Sequence, residues 1–120
     1  MSTTETKALI AKALDRLGSE VPALRQLKLV VRLELRARGG GDVPIWRVEV
    51  PGPKIDRDPA GDARIEVSLA RSHFNELAED GRLRHWVDAY EHGRLSVAGD
   101  PAVIKLLGNV IQRQLARARA

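Results

Sequence analysis

The chain contains no cysteine. Disulfides, thiol nucleophiles and cysteine-ligated metal sites are therefore excluded. Aromatic residues are scarce, with Trp46, Phe74, Trp86 and Tyr90 making up the whole set. Four scattered rings give no platform on which bases or sugars could stack. No apolar run approaches the roughly 18 residues needed to span a bilayer. The opening "MSTTETKALIAKAL" brings in acid early and lacks the basic, apolar and small-residue segments of a secretory signal. A soluble cytoplasmic protein is expected. Charge of neither sign dominates: 20 Lys and Arg against 16 Asp and Glu leave a formal +4, spread along the chain. A nucleic-acid binder needs a concentrated basic stripe, so no nucleic-acid partner is expected. Only "IQRQLARARA" is locally basic, through Arg113, Arg117 and Arg119. Cations suit the end of a helix, and the same residues would suit transient contact with an anionic membrane surface.

Chemistry-bearing constellations are equally thin. His85 and His92 lie seven residues apart in one expected helix, about two turns. Two ligands of one ion favour a spacing of three or four, so no metal is expected. Asp88 lies between them and could pair with either. His73 with Glu76 is an ordinary helix-start pair. Ser68, Ser72 and Ser96 sit in no nucleophile-elbow pattern. No catalytic residue, metal ligand or cofactor is assigned.

What the chain does have is clear periodicity. Ser2 with Glu5 forms a capping box, and Leu9, Ile10, Ala13, Leu14 and Leu17 make a helical stripe, closed by Gly18 and then Pro22. From Leu27 the period changes to two. "LKLVVRLELRAR" puts Leu27, Leu29, Val31, Leu33, Leu35 and Ala37 on one face. "GGGD" turns the chain, and "IWRVEV" alternates again through Trp46, Val48 and Val50. "PGPKIDRDPAGD" is turn chemistry around at most one short strand near Lys54 to Arg57, and "ARIEVSLA" alternates through Ile65, Val67 and Leu69. Two short helices follow, "SHFNELAEDG" and "RLRHWVDAYEHG", each ended by a glycine. Strands with a single apolar face need cover, and the helices supply it. The expected fold is an α+β two-layer sandwich, one domain over residues 1–120, with four clear strands, or five if Lys54 to Arg57 forms one, covered by helices on one face.

"GRLSVAGDPAVIKLL", Gly93 to Leu107, could be a phosphate loop or a hinge. A phosphate loop wants several exposed backbone N–H groups, and Asp100 at the cap would repel the anion. The hinge reading gives a strand with Leu95 and Val97 on one face and a break at Gly99. Asp100 then caps a helix starting at Pro101. That helix is unusually apolar, through Val103, Ile104, Leu106, Leu107, Val110 and Ile111. It is either a core helix or the cover of an apolar cavity. Gly108 in its middle is a weak point that would let the segment from Asn109 onward swing away, or a residue chosen for close packing on the sheet.

Asp62 to Val110 resembles the sterol carrier protein type 2 family, on the strand "DARIEVSLA", the helix end "LAEDGRL" and "YEHGRLSVAGDPAVIKLL". The resemblance implies a five-stranded mixed sheet with an apolar tunnel between sheet and helices. A lipid, sterol or other apolar small molecule would lie against Leu33, Trp46, Val48, Ile65, Val67, Phe74, Trp86, Tyr90, Leu107 and Ile111. The compact connection from Gly52 to Asp62 implies a small cavity. The ending "ARARA" lacks the family's frequent peroxisomal tripeptide and fits a bacterial-type setting. The expected function is non-enzymatic binding or transfer of an apolar molecule. The competing reading is a structural or accessory module with a filled core, able to form a homodimer. An enzyme acting on an apolar substrate ranks behind both.

Overall fold

A computed structural model describes residues 3–37 and 45–119. The expected capping box at Ser2 and the "GGGD" turn lie outside the described residues. In chain order the elements are α1 (Thr3–Glu20), a 3-10 turn (Pro22–Gln26), β1 (Leu29–Arg36), β2 (Ile45–Val50), β3 (Lys54–Arg57) and β4 (Ile65–Ala70). Then come α2 (Arg71–Asp80), α3 (Leu83–Glu91), β5 (Leu95–Gly99) and α4 (Pro101–Arg119). The strands form one sheet in the order β3-β2-β1-β4-β5. Only β1 and β4 are parallel, and the other neighbours are antiparallel. This is the α+β sandwich that the periodicity implies, with the five-stranded mixed sheet that the resemblance implies.

Register follows from the alternation. Leu33 sits opposite Trp46 on β2 and Val67 on β4, and Val67 faces Val97 on β5. Shifting any strand by one residue would turn its apolar row to the wrong side, so the row fixes the pairing. The opposite face is a charged lattice. Arg47 donates to Asp62 through Nε and Nη2, at 3.1 and 2.7 Å, and through Nη1 to Glu49 at 3.1 Å. That bidentate guanidinium holds the Asp62 carboxyl below the ordinary carboxylate range. Arg32 lies 3.8 Å from both Glu34 and Glu66.

Helices cover the other face. Phe74, Leu77 and Ala78 of α2 are buried, as their spacing predicts. The start of α3 is tied to α1, since the Leu83 N–H donates to the Glu20 carboxylate at 2.8 Å. α4 packs on β5 and on the 3-10 turn. Two local expectations need correction. α1 runs through Gly18 to Glu20, because Gly18 faces the Arg25 side chain and has no need to end the helix. Gly99 does not break β5 but is its last residue, paired with Ile65 at a φ of 124°. The 3-10 turn was legible only as the helix stop at Pro22.

Asp100 caps α4 as expected, its Oδ1 accepting from the Ala102 N–H at 2.9 Å. Its other oxygen accepts from Arg64. Arg64, and after it the Ala102 N–H, hold the Asp100 carboxyl below its usual range. A depressed native carboxylate contributes stability above its unfolded pKa, about 3.9, and loses it as pH falls through the lower native value. Asn is an equally good cap, so Asp100→Asn isolates the ion pair. The stability gap between wild type and variant should be constant near neutrality and shrink below about pH 4. Denaturant titrations at a series of pH values check this.

An apolar cavity as the candidate functional site

Burial along the inward apolar rows is uneven, and the unevenness locates the site. On β1, Leu35 is 0% and Leu33 8% exposed, whereas Val31 and Leu29 are only half-buried. On β4, Leu69 is fully buried and Val67 is not. Val50 and Val97 follow the same pattern. All point to the helix side, so their residual exposure means that the helices do not fill the space above them.

That space is a cavity of about 450 Å³, within the range of small-molecule sites. The sheet forms its floor, with Leu29, Val31, Leu33, Val48, Val50, Ile65, Val67, Leu95 and Val97. Ile10, Ala13, Leu14 and Leu17 of α1 form one wall, joined by Leu24 of the 3-10 turn and Leu27 just after it. Phe74 comes from α2, and Leu83, Trp86, Val87 and Tyr90 come from α3. Ile104, Leu107, Gly108 and Ile111 of α4 make the roof. The charged or amide side chains in the lining are Arg25, Glu91 and Gln112. They are exposed to solvent and so stand at the mouth. Phe74 and Trp86 meet edge to face with centroids 6.1 Å apart, which fixes the Trp86 ring at the wall.

Leu33, Val48, Ile65, Val67, Phe74, Trp86, Tyr90, Leu107 and Ile111 all border this cavity. Trp46, named with them from the sequence, is not in the lining and is 1% exposed. It stands across from Leu33 on β1 and Arg57 on β3, and the Arg57 guanidinium lies 5.4 Å from its ring centroid. Alternation put Trp46 on the correct face but carried no information about position along the strand. Sequence reasoning missed the contributions of the 3-10 turn, of α1 and of Val31, Val50, Val87 and Val97. For the three strand valines the signal was present, since all lie on the inward apolar face.

Gly108 settles one alternative. A Cβ built there meets nothing within 4 Å, so the glycine does not serve close packing on the sheet. Its helical cost is therefore uncompensated by contact. Gly108→Ala should stabilise the fold by about 1 kcal/mol, raising the urea midpoint without changing the slope.

A second groove, of about 460 Å³, runs between α2 and α3 and is bordered by His73, His85 and His92 with Glu76, Asp80, Asp88 and Arg94. His85 Nδ1 accepts from the Arg82 N–H at 2.9 Å, and His92 Nδ1 donates to the Asp88 carbonyl at 2.8 Å. Neither histidine pairs with the Asp88 carboxylate, because each finds a backbone partner at a helix end. Among the described residues no three His, Cys, Asp or Glu side chains converge as metal ligands. The apolar cavity is the stronger candidate, since it leaves inward-facing hydrocarbon without protein cover.

Fold and cavity together define a class, a two-layer sandwich whose helical layer is held off part of its sheet. Solved structures with this fold include sterol carrier proteins. The chain is similar to palmitated SCP2L2 from Aedes aegypti, with a TM-score of 0.55 and 19% identity over 83% of this chain and 91% of that one. The crystal structure of sterol carrier protein 2 like 2 from the same mosquito gives 0.53 and 18%, covering 88% and 98%. A ubiquinone synthesis protein, UbiJ-SCP2, gives 0.50 and 19%, covering 95% of each chain. The chain therefore has the sterol carrier protein 2-like fold. No family model and no curated protein sequence matches it.

Proposed function

We propose that this protein binds a lipid or another long apolar molecule in the cavity between sheet and helices, without catalysing a reaction on it. The half-exposed inward valines carry the reading, because a ligand covering them completes a core that the protein leaves unfinished. The driving force is desolvation, with each buried methylene contributing about 0.8 kcal/mol. A chain of ten methylenes gains about 8 kcal/mol, enough to offset part or all of the association cost of about 4–15 kcal/mol. No charge inside the cavity is needed to hold such a ligand. Arg25, Glu91 and Gln112 at the mouth suit a polar head group left in water. The palmitated neighbour shares the fold, and an acyl chain is the ligand class that these walls suit best.

Native mass spectrometry of purified protein is the test. Mass adducts that dissociate as lipid, and that exchange with an added long-chain fatty acid, support a carrier. Protein that stays bare at saturating fatty acid supports the accessory module with a filled core.

A further inference from the structure

α4 has two apolar faces, and the cavity uses one of them. Ile104, Leu107 and Ile111 point to the cavity. Val103, Leu106 and Val110 recur at spacings of three and four on a different face, and none borders the cavity. Leu106 is 47% exposed, and Val103 and Val110 flank it half-buried, so the row lies along the edge of the helix with Leu106 at its exposed centre. Among the described residues it and Tyr90, at 52%, are the exposed large hydrophobics. They stand on α4 and α3, the two helices that frame the mouth. The Val103-Leu106-Val110 row continues at the same spacing into Arg113 and Arg117.

Charge on this helix is unbalanced. From Pro101 to Arg119 there are four Lys and Arg and no acid. Asp100, the acid at its start, is engaged by Arg64. Among the described residues Lys105, Arg113 and Arg117 have no ion-pair partner, although acids elsewhere on the surface hold Lys12, Arg32 and Arg47. Hydrocarbon and unpaired cations on one helical row suit a surface that supplies hydrocarbon beneath negative charge. A second copy of the helix would bring like charges together. A polyanion without hydrocarbon would leave Leu106 unused.

We infer that the outward face of α4, Val103-Leu106-Val110 with Arg113 and Arg117, docks the protein on an anionic lipid bilayer with the helix axis in the membrane plane. This rests on the proposed function only in giving the docked state a purpose, since it brings the protein to the source of the ligand. Binding is electrostatic as well as apolar, so salt weakens it.

The experiment is co-sedimentation of the full chain with phosphatidylcholine vesicles, with and without phosphatidylglycerol, for wild type, Leu106→Ser and Arg113→Gln/Arg117→Gln. Circular dichroism confirms the fold of each variant. Wild type should partition onto the anionic vesicles and be released by salt. The double Arg variant should lose on the order of thirtyfold in partitioning, about fivefold for each cation near the surface. Leu106→Ser should lose several-fold on the same vesicles. Absence of wild-type binding to anionic vesicles overturns the inference, as does binding that neither variant weakens. A concentration-dependent dimer abolished by Leu106→Ser, with no vesicle binding, makes this face a self-contact and also overturns it. Leu106, Arg113 and Arg117 lie outside the cavity, so fatty-acid uptake in vesicle-free solution should be the same in all three proteins. Loss of that uptake in wild type counts against the cavity reading and leaves the docking result standing.

Discussion

Val67→Phe should abolish most ligand binding while leaving the fold as stable as wild type or more so. Val67 stands mid-sheet with Leu33 and Val97 as its cross-strand neighbours, and it is half-buried although it faces the helices. In a filled core the larger ring would force neighbours off their rotamers, at about 1–3 kcal/mol. Over a cavity the ring enters open space and covers exposed hydrocarbon. Displacing two ligand methylenes costs about 1.6 kcal/mol, more than tenfold in affinity. Leu69→Phe is the matched control, two residues further along the same row and 0% exposed. It should destabilise by about 1–3 kcal/mol. Urea unfolding and fatty-acid titration read both quantities. Equal destabilisation by the two substitutions would sink the hollow-core reading and favour the accessory module.

The contrast between Val67 and Leu69 also marks what the sequence could carry. Two-residue alternation is a statement about faces, and the faces of β1, β2, β4 and β5 were legible because the sheet has one wet side and one covered side, whereas four-residue β3 is too short to show a row. Burial along a strand is a different quantity. It depends on where a helix crosses and how far it stands off, which the 3-10 turn and the path of α4 decide. Trp46 and Val48 read identically from sequence. One packs beneath Arg57 and the other borders the cavity, because they stand at different distances along β2. The excess apolar width of α4 was legible as well, but not its division between a roof and an outward row. That division depends on the helix's rotation, which its packing on β5 and the 3-10 turn fixes.

The same packing depends on one backbone position, and Gly99→Ala should disrupt it severely. Gly99 adopts a φ of 124°, a region that side chains other than hydrogen rarely enter. A Cβ there would lie 2.5 Å from the Arg64 carbonyl oxygen and 2.9 Å from the Ile65 Cα. Both obstacles are backbone, so neither can swing aside as a side chain would. Relief requires β5 to move away from β4 at its last pair, Gly99 with Ile65. The next residue suffers too, because the Asp100 N–H donates to that same Arg64 carbonyl at 2.9 Å, while the Asp100 side chain caps α4 and pairs with Arg64. Steric overlap and strained φ together should cost about 3 kcal/mol or more, a large part of the 5–15 kcal/mol typical of a domain. The urea midpoint should fall accordingly. Because the displaced element is the start of the cavity roof, fatty-acid affinity measured well below that midpoint should fall as well. Gly108→Ala, further along the same helix, should move the midpoint upward. A Gly99→Ala protein with wild-type stability would mean that the β5–α4 junction is slack and does not set where the roof lies.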